Sequence, residues 1–147
     1  MAKKIGFILV CVLFAAMFLA ACGGSTPTGE EETSAPTVDS LAGDWTGTMI
    51  SSDSGEALTE LNISVQEGCE VDKTCGSYSI PELSCGGELV YKGVEGEAFS
   101  FEQHLVDGDL NTCGTGSMNT LTLNEDGTIS QTWTDGTYNT HANLNRK

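Results

Sequence analysis

Large apolar side chains fall into three regimes along the chain. An unbroken apolar stretch runs from Ile5 to about Phe18, and from Gly23 to about Ser40 the only large aliphatic residue is Val38. From Leu41 to about Leu144 apolar and polar positions alternate. Leu61, Ile63 and Val65 alternate with Asn62, Ser64 and Gln66; Phe99 and Phe101 with Ser100 and Glu102; Leu121 and Leu123 with Thr122 and Asn124; Ile129 and Trp133 with Ser130, Thr132 and Thr134. Period two is the mark of a half-buried strand with one wet face. Turn signals separate the runs at Ser54-Gly55, Gly68, Gly76, Gly93 to Gly96, Asp107-Gly108, Asp126-Gly127 and Asp135-Gly136. Asp-Gly supplies the positive φ that tight hairpins need.

The pattern predicts an all-β domain of about eight strands, over 44–51, 58–66, 76–80, 86–92, 97–106, 117–124, 128–134 and 137–144, with no helix. Connections this short imply an antiparallel meander, because parallel strands need crossovers of a dozen or more residues. Closure into a small barrel removes the exposed edges, with a β-sandwich as the alternative. The expected core is Trp45, Met49, Leu61, Ile63, Val65, Leu89, Tyr91, Phe99, Phe101, Leu121, Leu123, Ile129 and Trp133.

The first regime reads as an export signal: Lys3 and Lys4, an apolar stretch, then small residues. A transmembrane anchor is the competing reading, since the stretch approaches the roughly 17–25 residues that cross a bilayer. Leu19-Ala20-Ala21-Cys22 decides against it, because it resembles the bacterial lipobox, in which the cysteine is diacylated on sulfur and becomes the new N-terminus. That resemblance implies cleavage after residue 21 and a lipid anchor on Cys22 outside the cytoplasm, on the cell membrane or an outer membrane. Gly23 stands where the best-known inner-membrane retention signal has Asp. The second regime, 22–40, is then a flexible lipidated linker and 41–147 the folded domain.

Without Lys3 and Lys4 the chain carries four basic against 21 acidic residues, a formal charge of −17. Such a field repels phosphate backbones and anionic headgroups, so nucleic acid is not expected as a partner. Setting aside Cys11 and Cys22, four cysteines remain, Cys69, Cys75, Cys85 and Cys113. In an oxidising compartment these are expected as disulfides. Zinc is the alternative, but there is no Cys-x-x-Cys and neither histidine stands beside them.

Gly43-Asp44-Trp45 resembles the Gly-x-Trp opening of lipocalin-like barrels, where the Trp plugs the closed end. A wider likeness takes in Ile80-Pro81-Glu82-Leu83-x-Cys85-Gly86-Gly87-x-Leu89, Phe99-x-Phe101-Glu102, Cys113 and Leu121-x-Leu123-x-x-Asp126-Gly127-Thr128-Ile129. These residues look like a small β domain of uncharacterised bacterial lipoproteins and of the extracytoplasmic end of some bacterial serine/threonine kinases. The resemblance implies Cys85–Cys113 and Cys69–Cys75 pairs and a sensory or binding role. It brings no catalytic motif.

Candidate chemistry is sparse. Glu102 and His104 share the strand face opposite Phe99 and Phe101, a spacing suited to acid–base work or one metal corner. No third ligand or nucleophile accompanies them, so they read as a solvated outer pair. His141 reads as surface near a fraying C-terminus. Asp107, Asp109 and Asn111 resemble half of a calcium loop but lack its Gly and closing Glu, so a hairpin tip is expected. Gly-x-Ser-x-Gly and Gly-rich phosphate loops are absent from the sequence. Gln103 is different, because continuing the Phe99, Phe101 alternation points it inward; there it faces a ligand, meets an internal hydrogen-bond partner, or is turned outward by a bulge. The expectation is a non-enzymatic, lipid-anchored binding or sensing module without cofactor or metal. The alternative is a structural or inhibitory envelope protein that docks onto a protein partner.

Overall fold

Each alternating run becomes one strand. The computed structural model describes residues 36–147; the export signal, Cys22 and linker residues 22–35 lie outside the described residues. The strands are β1 (Gly43–Ser51), β2 (Ala57–Val65), β3 (Thr74–Ile80), β4 (Cys85–Glu95), β5 (Ala98–Asp107), β6 (Ser117–Leu123), β7 (Ile129–Thr134) and β8 (Asn139–Arg146). Each pairs antiparallel with the next, and β8 returns to β1, with Trp45 opposite Arg146 and Ser51 opposite Thr140. The result is a closed antiparallel barrel of the lipocalin-like kind, not a sandwich. Closure satisfies the backbone groups that an open edge would leave unpaired.

Alternation sends one residue in two into the interior. Trp45, Ile63, Leu89, Phe99, Phe101, Leu121, Ile129 and Leu144 are almost wholly buried there. One pole is plugged. A 3-10 turn at Val38–Leu41 lies across it, Leu41 is buried, and the Trp45 indole Nε1 donates to the Leu41 carbonyl at 2.8 Å. Arg146 stacks on the Trp45 ring, its guanidinium carbon 4.4 Å from the centroid, and donates to the Ala42 carbonyl at 2.8 Å. This turn moves the linker boundary: Val38 packs on the core, and Asp39 accepts a hydrogen bond from the Gly68 amide at 2.8 Å, so residues 38–40 belong to the barrel.

Other expectations need correction. Leu123 is 37% exposed, because β6 ends there at the rim of the plugged pole. Gly76 marks no turn; it sits inside β3 where a side chain would strike the Ser64 carbonyl. Gly93, at φ 119°, forms a bulge in β4, and the reversal comes after it at Glu95 to Ala98. The 107–111 segment lies in the β5–β6 hairpin connection, as expected, but it is not a bare turn. Asp109 accepts from the Asn111 amide at 2.8 Å and caps a one-turn helix, α1 (Leu110–Cys113). His141 does not fray, since β8 is held between β1 and β7.

The sulfurs of Cys69 and Cys75 are bonded, and so are those of Cys85 and Cys113, with Cα separations of 5.2 and 5.6 Å. The first pair closes the β2–β3 connection at the plugged pole. The second ties α1 to the start of β4 at the opposite pole.

Candidate functional site

At the pole opposite Trp45 the interior is not filled by hydrocarbon. Three amides occupy inward positions on adjacent strands: Gln103 on β5, Asn119 on β6 and Gln131 on β7. The register places each diagonally from the next, since Asn119 opposes Phe101 and Gln131 opposes Leu121. Diagonal neighbours lie within reach of long side chains. The Gln131 Nε2 donates to Asn119 Oδ1 at 2.8 Å, and Asn119 Nδ2 donates to Gln103 Oε1 at 2.9 Å. The three form one hydrogen-bonded chain across the barrel, which fixes the side-chain positions more firmly than isolated amides would be held.

Above this floor lies a cavity of about 190 Å³ that opens at the mouth. Its apolar wall is made by Met49, Leu58, Leu61, Ile80, Leu83 and Trp133, with the Cys113 end of the disulfide and Tyr138 at the rim. Gln103, Thr112, Asn119, Gln131 and Thr140 are its polar lining residues, and no charged side chain lines it among the described residues. Trp133 is held in place by its indole Nε1, which donates to Ser117 Oγ at 2.9 Å. It stands two residues after Gln131 on the same face of β7, opposite Asn119 on one side and Thr140 on the other.

Several polar atoms inside the barrel lack a protein partner. Gln131 Oε1, Thr140 Oγ1, Thr59 Oγ1 and Tyr78 Oη are buried without a hydrogen bond among the described residues. Burial raises the pKa of the Tyr78 phenol, an effect the nearby Gln103 amide partly opposes, although the hydroxyl finds no partner of full hydrogen-bond geometry. Each such atom costs about 1–3 kcal/mol relative to a satisfied one.

Gln103 thus points inward, as the alternation of Phe99 and Phe101 indicates, and it both bonds internally and faces the cavity. Asn119, Gln131 and Thr140 were missed by sequence reasoning. The signal lay in the parity of β6, β7 and β8, since Asn119 stands two before Leu121, Gln131 two after Ile129, and Thr140 four before Leu144.

Glu102 and His104 lie on the outer face, 3.3 Å apart, with Lys92 at 3.5 Å from Glu102 and also bonded to Asp72. The Asp72 carboxylate, followed by Glu102, raises the Lys92 pKa. This is a solvated ion cluster remote from the cavity. Asp107, Asp109 and Asn111 are exposed, and no group of His, Cys, Asp or Glu suited to a metal ion occurs among the described residues. His141 is exposed beside Ser52 Oγ, 3.3 Å from its Nδ1. Among the described residues no helix is long and apolar enough to cross a membrane.

Fold and site define the class: a closed eight-stranded antiparallel barrel, plugged at one pole and carrying an amide-floored apolar cavity at the other. No family model, curated protein or solved structure matches the chain.

Proposed function

We propose that the chain is a lipid-anchored extracytoplasmic binding or sensing module of the bacterial envelope, and that its mouth cavity takes a small, mainly apolar ligand. The observation that carries the binding reading is the cavity itself, since a barrel built only for stability gains most by filling its interior with hydrocarbon. The lipobox-like Leu19-Ala20-Ala21-Cys22 supports the anchor. At about 190 Å³ the cavity is below the usual 300–1,000 Å³ of drug-sized sites, yet above the roughly 150 Å³ of an apolar cavity that accepts benzene. A one-ring molecule fits that space.

Native mass spectrometry of the protein purified from its host tests the reading. The expected result is a retained small-molecule mass, with Trp133 fluorescence responding to one-ring probes. A chain that carries no adduct and responds to no probe refutes ligand binding. For the anchor, Cys22→Ser should move the protein from the membrane to the soluble fraction, and continued membrane association refutes it.

A second reading rests on the rim. Leu58, Leu83 and Tyr138 are exposed around the mouth, which favours docking of this pole onto an envelope protein. A stoichiometric protein partner recovered from intact cells, and lost on Leu58→Ser with Leu83→Ser, would favour this reading over the first.

A further inference from the structure

We infer that the cavity selects an uncharged ligand bearing a hydroxyl group, which enters hydroxyl first and meets Gln131 and Thr140 at the floor. The inference rests on the ligand-binding reading above and adds the ligand's chemistry and orientation. Two observations carry it. First, Gln131 and Thr140 line the cavity at 1% and 6% exposure, and each holds a polar atom, Oε1 and Oγ1, with no protein partner among the described residues. Native interiors seldom leave such atoms unmatched, so two of them at the base of one cavity mark the place of a polar group supplied from outside.

The geometry also says what kind of group. The amide chain runs from Gln131 Nε2 to Asn119 Oδ1 and from Asn119 Nδ2 to Gln103 Oε1, which leaves Gln131 Oε1 as an acceptor without a donor among the described residues. A hydroxyl is the neutral group that can both donate to Gln131 Oε1 and accept from the Thr140 hydroxyl. A carboxylate or phosphate offers no proton to Gln131 Oε1 and would be desolvated in a cavity without a cation. A plain hydrocarbon ring fills the space between Met49, Leu61, Ile80 and Trp133 but leaves both polar atoms as they are. The class is therefore a neutral one-ring alcohol or phenol.

The test uses the full chain in lipid nanodiscs, with empty nanodiscs as the blank for partition into lipid, and reads binding of three probes by fluorine NMR: 4-fluorophenol, 4-fluorotoluene and 4-fluorobenzoate. The expected result is 4-fluorophenol bound about tenfold more tightly than 4-fluorotoluene, and 4-fluorobenzoate not at all. Thr140→Val, which keeps the shape of the side chain, and Gln131→Met should each shrink that preference while 4-fluorotoluene still binds. If 4-fluorotoluene binds the native chain as well as 4-fluorophenol does, or if 4-fluorobenzoate binds comparably, the inference is overturned and the cavity remains a binding site. If none of the three binds, both the inference and the reading beneath it fall.

Discussion

Removing the two disulfides one at a time should separate the two poles of the barrel. The Cys85–Cys113 bond closes a loop of sequence separation 28, and the Cys69–Cys75 bond one of 6. Cross-linking removes loop-closure entropy from the unfolded chain, and the loss grows with the logarithm of loop length. That relation gives about 3.6 kcal/mol for the longer loop and about 2.2 kcal/mol for the shorter. Urea unfolding of the oxidised protein, followed by tryptophan fluorescence, should therefore show Cys85→Ala/Cys113→Ala losing about 1.4 kcal/mol more than Cys69→Ala/Cys75→Ala. The same variants should part on ligand binding. Cys113 lines the cavity and fastens α1 to β4, so its loss loosens the mouth, whereas the 69–75 bridge lies at the plugged pole. Equal losses of stability would refute the loop-length reasoning. Unchanged probe binding without the 85–113 bridge would refute its part in shaping the mouth.

Thr140→Val deletes a buried hydroxyl without a protein partner, so the urea midpoint should hold or rise; a loss above about 1 kcal/mol would show that the hydroxyl is satisfied after all. Gly76→Ala places a methyl group against the Ser64 carbonyl and 3.2 Å from the Val65 Cα, and should cost about 1–3 kcal/mol in the same assay. Arg146→Met removes the cation over Trp45 and should cost about 0.5–1 kcal/mol, with no change at the mouth as read by probe binding. Asp126 is held below the ordinary aspartate range by hydrogen bonds from the Thr128 hydroxyl and amide, and Asp135 by the amides of Tyr138 and Thr137. A depressed folded-state pKa means stability that is present above the unfolded value of about 3.9 and lost as pH falls through the folded one. The midpoint should drop on acidification below that value, and less steeply in Asp126→Asn/Asp135→Asn; an unchanged acid profile in the double variant would refute the assignment.

The strands were legible because each pairs one wet face with one dry one, and a single apolar triplet such as Leu61, Ile63, Val65 fixes which face is which. Parity alone also placed Gln103 inward. The amide floor was harder to see, because Asn119 and Gln131 are polar residues on inward positions, and composition argues for the opposite side. Only the register of three neighbouring strands makes them partners, and register across β5, β6 and β7 depends on hairpin geometry that residue types do not specify. Spacing was equally silent on the cysteines, since four allow three pairings. Leu123, expected in the core, and the unforeseen turn of helix at Leu110–Cys113 lie at barrel ends, where alternation no longer reports burial because the sheet stops.

The two poles divide the work of the barrel. At the plugged pole Leu41, Trp45, Phe99, Ile129 and Leu144 are almost fully buried, and the sequence obeys the rule of apolar residues inside. At the mouth that rule is broken by three amides and by Thr59 and Thr140, a set that as a whole would stabilise the fold better as hydrocarbon if stability were the only demand. The described chain enters the barrel at the plugged pole through Val38–Leu41, at the end away from the cavity. A cavity sized for one ring and floored by hydrogen-bonding groups suits a small polar-headed molecule better than a long acyl chain.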